Sequence, residues 1–343
     1  MTARTADFDY ELPPELIAQA PLPERDASRL LVVDRGAGTL AHRTFTDFPG
    51  FPGADDVVVI NDSRVIPARL PARRPGGGKA EVLLVTREAE GTWRALVRPG
   101  ARIRAGARLD LGEGDAVDVI ATLEGGQRRV RLVGPGGDDA VIGRHGQVPL
   151  PPYIARPPEP SDRERYQTVY ADATGSVAAP TAGLHFTSAI LAKLAERGVA
   201  VARLTLHVGP GTFRPVSDED PARHRLDPEA YTLPPEAARA IAGARSRGGT
   251  VWAVGTTVTR TLETCAAEDG TVRAGSGWTS LFIRPGHTFR VVDRLLTNFH
   301  LPRSTLLMLV SAFAGRDLVM RAYEEAIRQR YRFYSYGDAM LIL

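Results

Sequence analysis

The chain of 343 residues contains a single cysteine, Cys265, and no long apolar run. One thiol excludes an internal disulfide framework and any thiolate metal cluster within one chain. The longest apolar-rich stretch, residues 306–314, is far shorter than the roughly 18–20 residues that a helix needs to span a bilayer. Residues 1–9 also lack the apolar core of a signal peptide. These absences predict a cytoplasmic protein with no membrane segment.

Lysine is almost absent as well, since only Lys79 and Lys193 stand among the 43 basic residues. GC-biased coding explains this preference for arginine, and selection for bidentate phosphate contacts is the alternative. The formal net charge of +3 is too small to identify an anionic partner. The hydrophobic fraction of 43% is ordinary for a globular protein, and the chain length favours two or three domains.

Metal-binding and hydrolase motifs are also missing from the sequence. The seven histidines show no His-x-x-x-His or other spacing that suits metal ligands. No Gly-x-Ser-x-Gly elbow is present, so a Ser-His-Asp hydrolase has no support. We therefore predict that the protein binds no metal.

Apolar runs in the first half of the chain predict α/β structure followed by a barrel. Segment 9–19 has prolines at an apparent helix entry, and the β-branched runs 30–34 and 57–61 suit strands buried on both faces. Between residues 70 and 150, short strands alternate with glycine-rich turns, and no helix is predicted. This pattern is typical of a small antiparallel β-barrel. The barrel strand candidates are 80–86, 92–98, 116–123 and 128–133.

Alternating helices and strands return after residue 152. Thr187 is a suitable cap for a helix over 188–197. Further helices are predicted at 234–247, from about 256, and at 304–313 and 317–331, with strands at 199–207, 250–255 and 340–343. The fold prediction is an α/β protein with a discontinuous mixed-sheet domain, residues 1–69 plus 151–343. A small antiparallel β-barrel domain, residues 70–150, is inserted into it.

Five glycine-rich or polar segments lie at the ends of predicted strands, where open α/β sheets bind ligands. Asp62 and Arg64 would orient a ligand, and a turn that caps the strand is the alternative. Segment 175–187, which contains His185, has small residues that let a ligand approach a helix start. His207 suits proton transfer, and the open Gly-Pro-Gly-Thr loop after it favours a ligand site over a structural histidine.

The remaining segments lie nearer the C-terminus. Thr256, Thr257 and Arg260 surround a predicted helix start, where N–H donors and hydroxyls suit a carboxylate or phosphate. A loop before the next helix gathers three polar side chains: Asn298, His300 and Arg303. Segment 316–332, rich in arginine and followed by tyrosines, is equally suited to RNA binding and to a solvated amphipathic helix.

Eight blocks of the sequence are similar to those of a known enzyme family. They are FDYELPPELIAQ (8–19), VINDSRV (59–65), YQTVYA (166–171), APTAGLHFT (179–187), LHVGPGTF (206–213), VGTTVTR (254–260), LTNFHLPRSTL (296–306) and YSYGDAM (334–340). Together they resemble the S-adenosylmethionine:tRNA ribosyltransferase-isomerases of the queuosine pathway. The resemblance runs from about residue 7 to the C-terminus and is weakest across the predicted barrel.

The resemblance implies an enzyme that transfers and isomerises the ribosyl moiety of S-adenosylmethionine. The acceptor would be 7-aminomethyl-7-deazaguanine at the wobble position of a tRNA, and the product epoxyqueuosine-tRNA, with release of adenine and methionine. S-adenosylmethionine would act as a cosubstrate, and no cofactor would be bound permanently. The expected partners are this cosubstrate and the tRNA, and the chain is expected to be a monomer.

The resemblance does not assign a role to each side chain, so the roles given next are hypotheses from the segments above. The proposed catalytic residues are His185, His207, His300, Asp62 and Glu229. The proposed substrate-binding residues are Arg64, Thr181, Gly183, Gly209, Gly211, Thr212, Thr256, Thr257, Arg260, Asn298, Arg303 and Tyr336. The sequence departs from the family pattern at Asp227, where a histidine is usual. We expect these polar loops to converge on one pocket beside an extruded wobble base.

Two other functions remain open from the sequence. A methyltransferase would use the same cosubstrate but release S-adenosylhomocysteine. A non-catalytic RNA-binding module would bind tRNA with steep salt dependence and consume no cosubstrate. The number of glycine- and hydroxyl-rich segments argues against simple RNA binding, which does not require them.

Overall fold

The computed structural model describes residues 4–88, 91–213, 216 and 218–343, and the side chains of Thr212 and Phe213 lie outside that description. The strands are β1 Arg29–Asp34, β2 Thr39–Thr44, β3 Val57–Asn61, β4 Ser63–Val65, β5 Arg69–Arg73, β6 Lys79–Arg87, β7 Trp93–Arg98, β8 Arg108–Gly112, β9 Asp115–Thr122, β10 Arg128–Val133, β11 Ala173–Ser176, β12 Ala200–Leu206, β13 Glu229–Leu233, β14 Val251–Val254, β15 Gly275–Thr279, β16 Arg294–Asn298 and β17 Ala339–Ile342. The α-helices are α1 Gly137–His145, α2 Asp162–Arg165, α3 Ser188–Glu196, α4 Pro235–Ser246, α5 Thr256–Cys265, α6 Thr305–Ala314 and α7 Arg316–Arg328.

Nine strands form one mixed sheet in the order β15-β13-β12-β3-β14-β16-β17-β1-β2. The neighbours β12, β3, β14 and β16 run parallel, so their C-terminal ends meet at one edge of the sheet. β17 and β1 run parallel to each other and opposite to β16. At one side of the sheet, β13 and then β15 continue it with antiparallel pairing, and β15 is the edge strand.

The central strands are buried on both faces because their residues alternate between two hydrophobic cores. Val57 and Val59 of β3 belong to one core, and Val58 and Ile60 belong to the other. Helices α4, α5, α6 and α7 contribute apolar side chains to the first core. Helix α3 and the 3₁₀ turn Phe45–Gly50 cover the opposite face. The continuous apolar run that predicted this strand therefore reflects burial from both sides.

The barrel is closed, with six antiparallel strands in the order β10-β7-β6-β5-β8-β9. Alternate residues fill its interior, among them Leu70, Val82, Ala95, Val117 and Val130, all fully buried. The α/β fold with a small antiparallel barrel is thus confirmed. Helix α1 packs on the barrel, so the prediction of a helix-free segment is wrong. Only two of its apolar residues face the barrel, and that pattern is too short to be recognised as a helix in the sequence.

Most other predicted elements agree with the structure, and one does not. The helices predicted from residues 188, 234, 256, 304 and 317 correspond to α3, α4, α5, α6 and α7. The helix predicted over 9–19 is wrong, since that segment forms only a 3₁₀ turn, Pro14–Leu16. Pro13 and Pro14 cannot donate backbone hydrogen bonds, and the chain then bridges from Ile17 to Phe333 in extended form.

The cap of α3 yields a stability prediction. The Thr187 hydroxyl accepts a hydrogen bond from Ile190 N at 3.2 Å, which satisfies one of the free donors of the first turn. We expect Thr187→Ala to lower the free energy of unfolding by about 1 kcal/mol, measured by urea titration. Thr187→Ser keeps the acceptor and should stay near the wild-type value; equal losses in the two variants would contradict the capping role.

Candidate active site

A large cleft separates the barrel from the β12–β13 side of the sheet. Its volume is about 1360 Å³, and it lies where β12 ends. From the sheet side it is lined by His207, Gly209, Gly211, Asp227, Glu229 and Arg260. The opposite wall comes from the barrel and α1, with Arg87, Trp93, Arg94 and Asp139. The cleft thus joins residues that are far apart in the sequence.

His207 directly follows β12 and lies on the wall of the cleft. Its backbone N–H donates to the carbonyl oxygen of Ala230 at 2.9 Å, which continues the pairing of β12 with β13. The imidazole lies close against Gly175, where a Cβ atom would come within 3.0 Å of the ring atoms Cε1 and Nε2. Gly175 has a φ of +151°, so a residue with a side chain would suffer both strain and a clash.

The environment of His207 favours a neutral imidazole. Burial lowers the pKa of His207 below its ordinary value of 6.5, and the Asp62 carboxylate opposes part of that shift. The ring nitrogen Nδ1 is buried and has no hydrogen-bond partner among the described residues. Asp62 accepts a hydrogen bond from the Thr205 hydroxyl at 2.7 Å and acts on the imidazole through its charge. A neutral imidazole at the edge of a cleft can accept a proton.

A buried ion pair forms the adjoining part of the wall. Glu229, the first residue of β13, pairs with the guanidinium group of Arg260 on α5. The other carboxylate oxygen of Glu229 accepts from Gly209 N at 2.8 Å. Arg260 also donates from Nε to Leu281 O at 3.0 Å, while its buried Nη2 has no acceptor in the described chain. Arg260 thus lines the cleft with one buried donor that lacks an acceptor, and a carboxylate could satisfy that donor.

Asp227 lines the same cleft. A Cβ atom at Gly211 would come within 3.0 Å of the Asp227 Oδ2 atom, so glycine lets the loop approach this carboxylate. The carboxylate of Asp227 is exposed, unlike that of Glu229. Of the predicted residues on this loop, Thr212 has its side chain outside the described part of the structure.

His185 is placed away from this cleft. Its Nδ1 lies 2.7 Å from the Ser28 hydroxyl and its Nε2 lies 3.3 Å from Asn298 Oδ1. The ring stacks on Phe45 at 5.1 Å, and burial lowers the pKa of His185 to about 4. It borders a separate cavity of about 20 Å³, which is lined also by Arg25, Arg165 and Arg332. The predicted convergence of His185 with His207 is therefore wrong.

His300 is enclosed beneath α7 rather than in the cleft. Its Nε2 lies 2.8 Å from the Thr297 hydroxyl, and its backbone N–H donates to the Tyr323 hydroxyl at 2.9 Å. Tyr10 donates its own hydroxyl to the His300 carbonyl oxygen. Burial lowers the pKa of His300 to about 3. The prediction that His300 shares the pocket is wrong, because aromatic residues from distant segments cover it.

The threonines at the start of α5 are buried and do not line the cleft. The Thr257 hydroxyl accepts from Asn61 Nδ2 at 3.3 Å, and Asn61 also holds the backbone of Leu206. Thr256 is buried beside it. Gly183 is packed against Tyr170, whose hydroxyl a Cβ atom would approach to 2.2 Å. Thr256, Thr257 and Gly183 thus lie outside the lining of the cleft, and their contact with substrate stays a prediction.

The remaining predicted residues also lie outside the lining of the cleft. Asn298 donates to Tyr334 O at 2.9 Å, and Tyr336 donates to Asp162 Oδ1 at 2.7 Å. Arg303 pairs with Glu219 at 3.1 Å. The others outside the lining are Asp62, Arg64 and Thr181. Asn298, Tyr336 and Arg303 thus have partners within the fold, and the substrate contacts expected of these residues stay predictions.

Sequence reasoning missed the barrel side of the cleft and its open edge. Arg87 ends β6, Trp93 and Arg94 begin β7, and no motif distinguishes them from other strand residues. Trp278 on β15 also lines the cleft and is 60% exposed. Gly175, which packs against His207, lies in segment 175–187, so the sequence analysis included it without singling it out.

Comparison with known proteins agrees with this architecture. The model of the family described as queuosine biosynthesis protein matches residues 5–342. The chain belongs to the queuosine biosynthesis protein family. A relative from Symbiobacterium thermophilum, named S-adenosylmethionine:tRNA ribosyltransferase-isomerase, is 56% identical over 342 residues, which cover 99% of this chain and 100% of the relative. A relative of the same name from Moorella thermoacetica is 54% identical over 343 residues, with 99% and 100% covered.

A solved structure supports the same assignment. The crystal structure of an S-adenosylmethionine tRNA ribosyltransferase from Thermotoga maritima is 41% identical in sequence and has a TM-score of 0.56. The match covers 98% of this chain and 100% of that chain. The queuosine-family chain is therefore an enzyme of the ribosyltransferase-isomerase kind.

The described residues lack two further features. No helix within the described ranges is long and apolar enough to cross a membrane. Likewise, no group of three or more His, Cys, Asp or Glu side chains in that part of the chain is arranged to hold a metal ion.

The burial of His300 predicts a loss of stability in acid. An unfolded histidine titrates near pH 6.5, whereas folded His300 titrates near 3, so the unfolded chain binds more protons below pH 6.5. From pH 6.5 to 4.5, we expect His300 alone to reduce the free energy of unfolding by about 2 kcal/mol. In His300→Gln this part of the decline should vanish in urea titrations, whereas Thr297→Val, which keeps the imidazole, should retain it. An identical decline in His300→Gln and wild type would contradict the assignment.

The charge environment of His207 gives a second pH prediction. We expect the imidazole to titrate below pH 6.5 by NMR, with the resonance identified by its loss in His207→Gln. Because the Asp62 carboxylate raises this pKa, Asp62→Asn should lower it further, while keeping an acceptor for the Thr205 hydroxyl. A rise in the His207 pKa on this substitution would contradict the proposed electrostatics.

Proposed function

We propose that the enzyme transfers and isomerises the ribosyl moiety of S-adenosylmethionine onto 7-aminomethyl-7-deazaguanine at the wobble position of a tRNA. Epoxyqueuosine-tRNA is the product, and adenine and methionine are released. S-adenosylmethionine is a cosubstrate, and no permanently bound cofactor or metal takes part. We place the reaction in the cytoplasm and treat the working enzyme as a monomer.

The observation that carries the proposal is the cleft between the barrel and the sheet. Pockets for one small molecule usually measure about 300–1,000 Å³, and this cleft measures about 1360 Å³. It has room for a nucleoside sulfonium and an extruded base side by side. The barrel strands β5–β10 pair with one another in a closed ring, which supports two domains: residues 1–69 plus 151–343, and residues 70–150.

His207 is the group we assign to proton removal. A sulfonium stabilises negative charge on its neighbouring carbon, so the 5′ carbon of the cosubstrate can lose a proton to a base. The proton passes to the imidazole of His207, and the electron pair remains on the carbon next to sulfur. Adenine leaves with the electron pair of its glycosidic bond and takes up a proton, and the aminomethyl nitrogen loses a proton when it bonds to the ribosyl carbon. The epoxide closes when its oxygen displaces methionine, whose sulfur keeps the electron pair of the broken C–S bond. A lowered pKa keeps the imidazole able to accept this proton.

Arg260 and Glu229 are the groups we assign to the amino-acid end of the cosubstrate. Arg260 Nη2 is a buried donor without an acceptor in the described chain, and it suits the methionine carboxylate. Glu229 holds the guanidinium in place and offsets its charge. Asp227 on the same wall provides negative charge for the sulfonium. Gly209 and Gly211 keep the loop free of side chains where the ligand enters.

The test is incubation with S-adenosylmethionine and an anticodon stem-loop that carries the deazaguanine base, followed by mass analysis of the nucleosides. We expect epoxyqueuosine together with adenine and methionine. His207→Ala should lower turnover by about a hundredfold or more, whereas His42→Ala, a surface control outside the cleft, should leave it unchanged. Release of S-adenosylhomocysteine would instead indicate a methyltransferase, and RNA binding without consumption of the cosubstrate would indicate a binding module.

A further inference from the structure

Trp278 is an exposed aromatic residue at the open edge of the cleft. It is 60% exposed, whereas the other two tryptophans, Trp93 and Trp252, are 5% and 4% exposed. It lies on β15, the edge strand of the sheet, and lines the cleft. Exposure of so large an apolar surface to water is unfavourable unless a ligand covers it.

Strand register places Trp278 in line with His207. Thr205 and Leu206 of β12 pair with Thr232 and Tyr231 of β13, so the next pair joins His207 to Ala230, as their backbone hydrogen bond shows. Ala230 in turn pairs with Trp278. Directly paired residues project from the same face of a sheet. His207, Ala230 and Trp278 therefore form one row across three strands, and we call this row the cross-strand row.

The spacing of the cross-strand row suits a flat ligand. Side chains directly opposite on neighbouring strands are about 5 Å apart, so His207 and Trp278 are separated by roughly 10 Å. The side chain between them, that of Ala230, is only a methyl group, so the space above it in the cleft stays open. A planar ring stacked on Trp278 would extend over Ala230 towards the imidazole.

We propose that Trp278 is a stacking platform that holds a nucleobase in the cleft and directs it along the cross-strand row towards His207. The ligand class is a purine-like base, which either the RNA or the adenine of S-adenosylmethionine supplies. The inference rests on the proposed function, since that reaction brings two such bases into one cleft. Stacking on an aromatic side chain accepts any base, so the platform gives affinity and position rather than sequence selection.

The surroundings of Trp278 favour a single base over a protein partner. Two other large apolar side chains are exposed in the described chain, Ile120 at 43% and Val169 at 44%, and neither lines the cleft. Trp278 is thus an isolated aromatic surface rather than part of an apolar patch of the size that proteins dock on. Arg87 and Arg94 on the opposite wall pair with Asp138 and Glu88, and both guanidinium side chains stay about half exposed, within reach of the anionic backbone of a nucleic acid.

Affinity measurements provide the first part of the test. We expect Trp278→Ala to weaken binding of the ligand that supplies the base by about tenfold or more, and Trp278→Phe to retain much of the affinity. The fold should survive, because the side chain is mostly exposed. Ile120→Ala removes a comparably exposed apolar side chain outside the cleft and should bind both ligands like the wild type.

Tryptophan fluorescence provides the second part of the test. A purely structural role of Trp278 would not make its emission respond to a ligand. Acrylamide should quench Trp278 in the free protein, and a stacked base should change its emission and protect it. Titration of the wild type with the anticodon stem-loop, and separately with S-adenosylmethionine, identifies which base occupies the platform. The signal should disappear in Trp278→Phe and persist in Trp93→Phe, which removes the buried tryptophan on the barrel wall of the cleft.

The outcomes separate this inference from the proposed reaction. If either ligand changes the tryptophan fluorescence and Trp278→Phe abolishes that change, the result supports the stacking platform, even if no ribosyl transfer occurs. The inference is overturned if neither ligand alters the Trp278 signal and Trp278→Ala binds both ligands like the wild type. Normal formation of epoxyqueuosine by Trp278→Ala, with unchanged KM for both substrates, would overturn it and leave the proposed function intact.

Discussion

The wall of the cleft depends on the buried ion pair between Glu229 and Arg260. Glu229 begins β13, and Arg260 projects from α5, so the pair ties the outer strands of the sheet to a helix in its core. The same carboxylate holds Gly209 N, and thereby the loop that follows His207. Loss of one partner in such a pair commonly costs 3–5 kcal/mol, because it leaves a buried charge uncompensated. The position of β13 in turn fixes the cross-strand row.

Helices and strands whose sequence signals lie within a few neighbouring residues could be predicted from the sequence. The run Val57–Ile60 indicated a strand buried on both faces, and Thr187 indicated the start of a helix, because both signals lie within a few residues. The barrel wall of the cleft could not be predicted in the same way. Its residues reach the cleft only through antiparallel pairing between strands and through packing of the barrel beside β12. No local pattern encodes that contact.

The three candidate histidines show why the site itself was only partly predictable. His185, His207 and His300 all lie in loops with glycines or hydroxyls, so the sequence gives them equal standing. Phe45 and Ser28 enclose the first, and Tyr323 and Tyr10 enclose the third, from segments more than 20 residues away. Burial lowers the pKa of all three. Only His207 combines a lowered pKa with access to the cleft.

The electrostatics of the cleft suit a substrate that brings its own positive charge. In the proposed reaction that charge is a sulfonium, and a protonated imidazole beside it would repel it and offer no lone pair. Burial of His207 keeps the ring neutral, so the base and the sulfonium can share one wall. The charge of Glu229 is offset by Arg260, which leaves Asp227 as the exposed carboxylate on that wall. An acidic residue at position 227 is therefore compatible with the chemistry, because attraction of the cation and removal of its proton fall to different side chains.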